Sequence, residues 1–237
     1  MKYSELFEGT KPLIGMIHTK GTPECEVLDL AKKEIEIYLK NGIYPLIENY
    51  FGSKSDCEIV LDWLQREHPD AVYGINILGD YRAAFHLAAK YGAKFIQIDS
   101  VSGHLLPSED KRFAESLRKA RQICDVVLLG GVRFKYQPVL SGRTLEEDMK
   151  IGMERCDCIV CTGEGTGKAT PMGKVLEFKS LSGEFPVIVG AGVTIDTVEE
   201  TFAVADGAIV GSWLKDNHRD FGVVSESNVG RMMSKIV

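Results

Sequence analysis

A chain of 237 residues with 28 Lys and Arg against 34 Asp and Glu carries a formal net charge of −6, which excludes a nucleic-acid binder working through a basic face. Hydrophobic residues make up 44% and charged residues 26%, the balance of an ordinary globular chain, and no apolar run approaches membrane-spanning length, so no membrane insertion is expected. The first eleven residues are polar and lack the apolar centre of a secretory signal, and the six cysteines are scattered apart from one cluster, so a reducing cytoplasm is the expected location.

Along the chain, short apolar runs with strand character alternate with amphipathic stretches at a spacing of roughly thirty residues, the length of a βα unit. The patterning predicts strands over 12–18, 43–49, 71–78, 94–99, 125–132, 157–162, 186–190 and 208–211. It predicts helices near 27–40, 56–67, 81–90, 112–122, 144–154, 174–179, 195–203 and 225–236. Asn41-Gly42 and Tyr91-Gly92 are glycine stops after helices, and Thr194 and Ser225 are cap residues. Eight strands, each followed by a helix, predict an α/β fold: one (β/α)8 barrel domain over 1–237, with an open doubly wound sheet as the alternative.

In such a barrel the chemistry sits where strands end. Here the strand ends carry His18, Glu48, Asn49, Asn76, Asp99, Lys135, Thr162 and Gly163. Glu48, Asp99 and Lys135 are the catalytic candidates. The two carboxylates can move protons, and the lysine can neutralise developing negative charge. Side chains alternate along a strand, so only one of Glu48 and Asn49 points into the mouth, and the other is structural. His18, Asn49, Asn76, Arg133, Thr162 and Gly163 are candidates for binding substrate.

The last two strands end on glycine. Gly190-Ala191-Gly192 and Gly211-Ser212, with Lys215 close behind, offer backbone N–H groups, a hydroxyl and a charge to a phosphate. A phosphorylated small molecule is therefore the expected ligand.

Two other motifs are set aside. Cys156-Asp157-Cys158-Ile159-Val160-Cys161 places its thiols on both faces of a strand, with Cys156 and Cys158 together, which argues for packing rather than zinc. The stretch 162–170 has Thr162 where a nucleotide-binding phosphate loop needs glycine and Ala169 where it needs Ser or Thr, so it reads as a glycine-rich lid. Neither a cofactor nor a metal is indicated. Trp213, Phe221 and the last helix suit a homo-oligomer surface and core packing equally well.

Several segments together resemble the BtpA/SgcQ family: 11–18, Ile47-Glu48-Asn49, Gly74-Ile75-Asn76, Cys161-Thr162-Gly163, 189–193 and 206–215. The resemblance runs from about Lys11 to the C-terminus. It implies a (β/α)8 barrel akin to phosphate-binding barrels. It leaves the reaction open, since members are associated with photosystem I accumulation or sit among sugar-utilisation genes. This chain departs from the family pattern after the fifth strand, where Gly131 replaces an acid and Tyr136 a histidine, while Lys135 is kept. The resulting expectation is an enzyme of isomerase, epimerase or aldolase/lyase type acting on a phosphorylated sugar or nucleotide-like metabolite. The alternative is a non-catalytic binding or assembly factor that retains the phosphate pocket.

Overall fold

The computed structural model describes residues 1–236. Eight parallel strands close into a barrel in sequence order: β1 (Leu13–His18), β2 (Tyr44–Glu48), β3 (Gly74–Asn76), β4 (Phe95–Ser102), β5 (Val127–Val132), β6 (Cys158–Cys161), β7 (Val187–Val189) and β8 (Ala208–Val210). The ring is sealed by β1 pairing with β8, Leu13 opposite Ala208 and Ile14 opposite Ile209. The patterning thus gives the right fold class, and the open sheet is ruled out. The helices α2 (Glu24–Lys40), α3 (Lys54–Glu67), α4 (Tyr81–Tyr91), α5 (Pro107–Ala120), α6 (Leu145–Arg155), α7 (Met172–Ser182) and α8 (Val198–Val204) follow the first seven strands. After β8 come a single 3-10 turn, Ser212–Leu214, and then α9 (Glu226–Met233).

Strand alternation separates two apolar cores. Ile14, Met16, Leu46, Val127, Leu129, Val160, Ile188 and Ile209 fill the barrel, while Ile17, Ile47, Ile75, Ile96, Leu128, Ile159 and Val189 face the helices. Gly74 is an inward position without a side chain, because the Phe95 ring from the neighbouring strand occupies the space a Cβ would need. Cys158 lies inside the barrel, whereas Cys156 and Cys161 pack outside. Cys156 and Cys158 therefore do not share a face: Cys156 ends α6 before the strand begins.

The sequence reading missed the helix α1 (Tyr3–Leu6). Its apolar residues sit among polar neighbours and show no helical period. Tyr3, Leu6 and the fully buried Phe7 close the floor of the barrel, with Phe7 edge-on to Tyr44 and Phe95. Helix α5 begins five residues before the expected start because Pro107 supplies a preset first-turn φ. Ser53 and Thr144 cap α3 and α6, each in a reciprocal box with Asp56 or Glu147. Among the described residues no helix is long and apolar enough to cross a membrane.

Candidate active site

A cavity of about 410 Å³ opens at the C-terminal ends of the strands. The alternation that turns Met16, Leu46 and Val160 inward delivers, one layer higher, His18, Glu48, Asn76 and Asp99. Glu48 and Asp99 line this cavity together with His18, Lys135 and Gln97.

The two carboxyl groups are bridged by one amide. Asn76 Nδ2 donates to Glu48 Oε1 at 2.7 Å and to Asp99 Oδ1 at 3.2 Å. Burial pushes the Glu48 carboxyl up to about 8, and the charge of Asp99 adds to the rise; the Lys135 ammonium pulls the other way. Asp99 is also raised, chiefly by burial, with the Asn76 hydrogen bond and Lys135 opposing. Two neighbouring carboxyls of this kind titrate as a coupled pair, with one holding a proton when the other has lost its own.

His18 Nε2 stands 3.4 Å from Glu48 Oε2. The spacing is that of an ion pair, yet burial and the nearby Lys215 charge hold His18 down at about 3, so a neutral imidazole meets a largely protonated carboxyl at pH 7. Lys215 Nζ lies 2.9 Å from His18 Nδ1. The Asp220 carbonyl stands 3.1 Å from the same Nδ1, so that ring nitrogen faces both a donor and an acceptor. Burial also lowers Lys215, to about 8, helped by Lys20. The Tyr50 ring stacks on His18 with centroids 4.8 Å apart.

The far wall is formed by Gly190, Ala191, Gly192, Gly211 and Ser212. The Ser212 hydroxyl donates to the Asp220 carboxylate, and the Lys215 ammonium donates to the Asp220 carbonyl. The segment 216–224 is pinned from below: Lys20 Nζ donates to the Gly222 carbonyl, and Glu34 Oε1 accepts the Val224 N–H at 3.1 Å. Across the mouth, Lys135 Nζ donates to Thr166 Oγ1 at 3.0 Å, and Tyr136 Oη accepts the Thr166 N–H at 2.7 Å. Thr166 and Gly167, from the glycine-rich stretch, line the cavity.

Several sequence candidates lie off the cavity wall. Asn49 turns away and its Oδ1 accepts the Leu78 N–H at 2.8 Å, so Glu48 is the inward member of that pair. Arg133 points to the outside of the barrel, where Asp148 takes its Nε–H at 2.8 Å and the Arg143 carbonyl its Nη2–H at 2.7 Å. Thr162 is buried and accepts the Lys135 N–H at 2.9 Å, a tether for that loop. Gly163 packs against the Ala169 and Thr170 backbone. Lys215 is fully buried with its ammonium committed to His18 and Asp220, so it supports the wall without belonging to it.

Position 131 has a steric explanation. Strand β4 carries a bulge, its pairing with β5 slipping between Ile98 opposite Gly130 and Ser102 opposite Val132. The bulge brings the Asp99 carbonyl and the Phe134 ring into the space that a side chain at 131 would fill. An acid cannot stand at 131 here, and the carboxyl at this side of the mouth comes from Asp99.

Residues that the sequence reading does not name as site residues also line the cavity, among them Tyr50, Gln97, Phe134, Thr166, Trp213, His218 and Asp220. Gln97 lies two residues before Asp99 on one strand face, so alternation reveals it. Asp220 sits in a connection with no periodicity, and no local signal marks it.

Comparison with known proteins places this geometry in context. The family described as the BtpA family matches residues 9–237. An uncharacterized protein of Pyrococcus furiosus is 28% identical, covering 87% of each chain. The putative sgc region protein SgcQ of Escherichia coli is 24% identical, covering 69% of this chain and 63% of its own. Among solved structures, the tryptophan synthase alpha chain of Legionella pneumophila superposes with a TM-score of 0.67 at 13% identity, covering 100% of this chain and 97% of that one. Phosphoribosyl anthranilate isomerase from Thermococcus kodakaraensis gives 0.63 at 12% identity, with 96% and 99% covered. At these identities the structural likeness speaks for the fold alone.

Proposed function

We propose that this chain, which belongs to the BtpA family, is an enzyme that moves a proton on a phosphorylated small molecule, in an isomerase, epimerase or lyase reaction. The observation that carries the reading is the amide-bridged pair Glu48 and Asp99 at the mouth of the barrel, beside Lys135. Neutral Glu48 serves as the acid and Asp99 as the base, a division of labour that follows from the different environments of two close carboxyls. Asp99 takes a proton from a carbon next to a carbonyl. The electron pair moves onto the carbonyl oxygen, Lys135 stabilises the charge there, and Glu48 returns a proton. His18, held at Nδ1 by Lys215 and the Asp220 carbonyl, sets its Nε2 against Glu48 and keeps that carboxyl oriented.

The phosphate part of the reading rests on the glycine-lined wall and on Lys135. The name of the structural neighbour phosphoribosyl anthranilate isomerase contains a phosphorylated sugar derivative, which agrees with that reading. Entry of a phosphate at Ser212 requires the Asp220 carboxylate to give up the hydroxyl it now holds.

The test is carbon-bound hydrogen exchange in deuterated water, followed by NMR across a panel of phosphosugars. Wild type exchanges one position of a substrate. Asp99→Asn and Glu48→Gln each slow exchange by about 100-fold or more, the usual weight of a general acid or base, and Glu48→Gln still binds the same compound. Binding without exchange by any panel member moves the chain to the non-catalytic reading.

A further inference from the structure

A second, smaller cavity of about 220 Å³ lies behind the catalytic pair, and Leu78, Asp99 and Gln137 line both cavities. The bulge in β4 builds the partition. Asp99 and Ser100 lie within the bulge, Asp99 lining both spaces and Ser100 the second, together with Asn76, His104 and Phe113. Two polar atoms there are buried without any hydrogen-bond partner among the described residues, Ser100 Oγ and His104 Nδ1. Ser100 itself is 4% exposed. The large majority of buried hydroxyl and ring nitrogen atoms are paired in folded proteins, so two orphans on residues that line one cavity mark a place where a polar partner belongs.

The charge around this space defines the partner. No lysine or arginine is among its lining residues, while Asp80 and Asp99 are. A phosphate or carboxylate would be repelled. Burial lowers His104 from its ordinary value, so its ring is neutral and offers one donor and one acceptor. The volume exceeds the roughly 30 Å³ share of one water several-fold.

We propose that this side pocket takes the neutral, hydroxyl-bearing end of the substrate, and that the substrate is a sugar phosphate long enough to reach past Asp99 from a phosphate in the main cavity. Ser100 and His104 bind its distal hydroxyls and set chain-length specificity. The inference rests on the phosphate reading of the main cavity and adds the length and polarity of what that cavity holds.

Calorimetric titration with glycerol 3-phosphate, ribitol 5-phosphate and unphosphorylated ribitol tests it, on wild type and on Ser100→Ala and His104→Phe, with melting curves to verify folding. Wild type is expected to bind ribitol 5-phosphate at least tenfold more tightly than glycerol 3-phosphate. Either substitution should erase most of that ratio and leave glycerol 3-phosphate affinity unchanged. Equal wild-type affinities, or a ratio intact in both variants, overturns the side pocket as a binding site and leaves it a water-filled space. Ribitol binding that the variants lose, with no phosphorylated probe bound, overturns the phosphate reading alone. No binding by any probe overturns both.

Discussion

Glu48 makes the stability of the protein fall as pH rises, and Glu48→Gln removes that dependence. Burial pushes the folded carboxyl up to about 8, against an ordinary value of 4.5. Between those two values the folded protein keeps a proton that the unfolded chain has released. The folded state is therefore favoured at low pH, and the contribution is lost progressively as pH climbs from 4.5 through 8. At about 1.4 kcal/mol per unit, the wild type loses on the order of 3–4 kcal/mol at this one residue between pH 5 and pH 8. Glutamine keeps the shape and the oxygen that accepts from Asn76, and it does not ionise. Urea unfolding of both proteins at pH 5, 6, 7 and 8 gives a difference curve in which other titrating groups largely cancel. The stability of Glu48→Gln relative to wild type should climb by a few kcal/mol across the series. A difference curve flat to within about 1 kcal/mol, against extrapolation errors of 10–15%, would refute a carboxyl that stays protonated in the fold. It would also remove the acid from the proposed mechanism.

Two other outcomes follow from the geometry. Asp220→Asn removes a negative charge from the glycine-lined wall and weakens the hold on the Ser212 hydroxyl, so affinity for glycerol 3-phosphate should rise about tenfold, or 1.4 kcal/mol; an unchanged or weaker Kd in titration calorimetry would remove the phosphate from that wall. Gly131→Ala forces a methyl group into the Asp99 carbonyl and the Phe134 ring, and should cost about 1–3 kcal/mol in urea unfolding, the usual range for overpacking. A variant as stable as wild type would mean that the β4 bulge yields freely.

The barrel was legible because its signals are local and repeated. An apolar run followed by an amphipathic stretch recurs eight times, and each recurrence supports the others. Glu48 and Asp99 could be read from position, since a strand's last inward residue is fixed by its alternation. Asn49 and Arg133 show where this runs out. Both lie at strand ends, and their directions depend on partners far away in sequence, the Leu78 amide and the Asp148 carboxylate. Lys215 lies off the cavity wall for the same reason: its ammonium is claimed by His18, 197 residues earlier. Asp220 and the side pocket depend on how an aperiodic loop and a strand bulge settle against the barrel, and no run of neighbouring residues encodes either.

The floor of the barrel has a consequence for how the chain assembles. Phe7 rests on Tyr44 and Phe95, and the Tyr3 hydroxyl donates to the Asp206 carbonyl, two residues before the last strand. The Tyr3 hydrogen bond thus forms only once the segment leading into β8 is in place. Contacts of such long sequence separation are costly to close and form late. The full seating of this plug therefore waits for the last strand, and the Tyr3 contact marks completion of the ring. A probe at Tyr3 would report a late event in folding, the closing of the barrel.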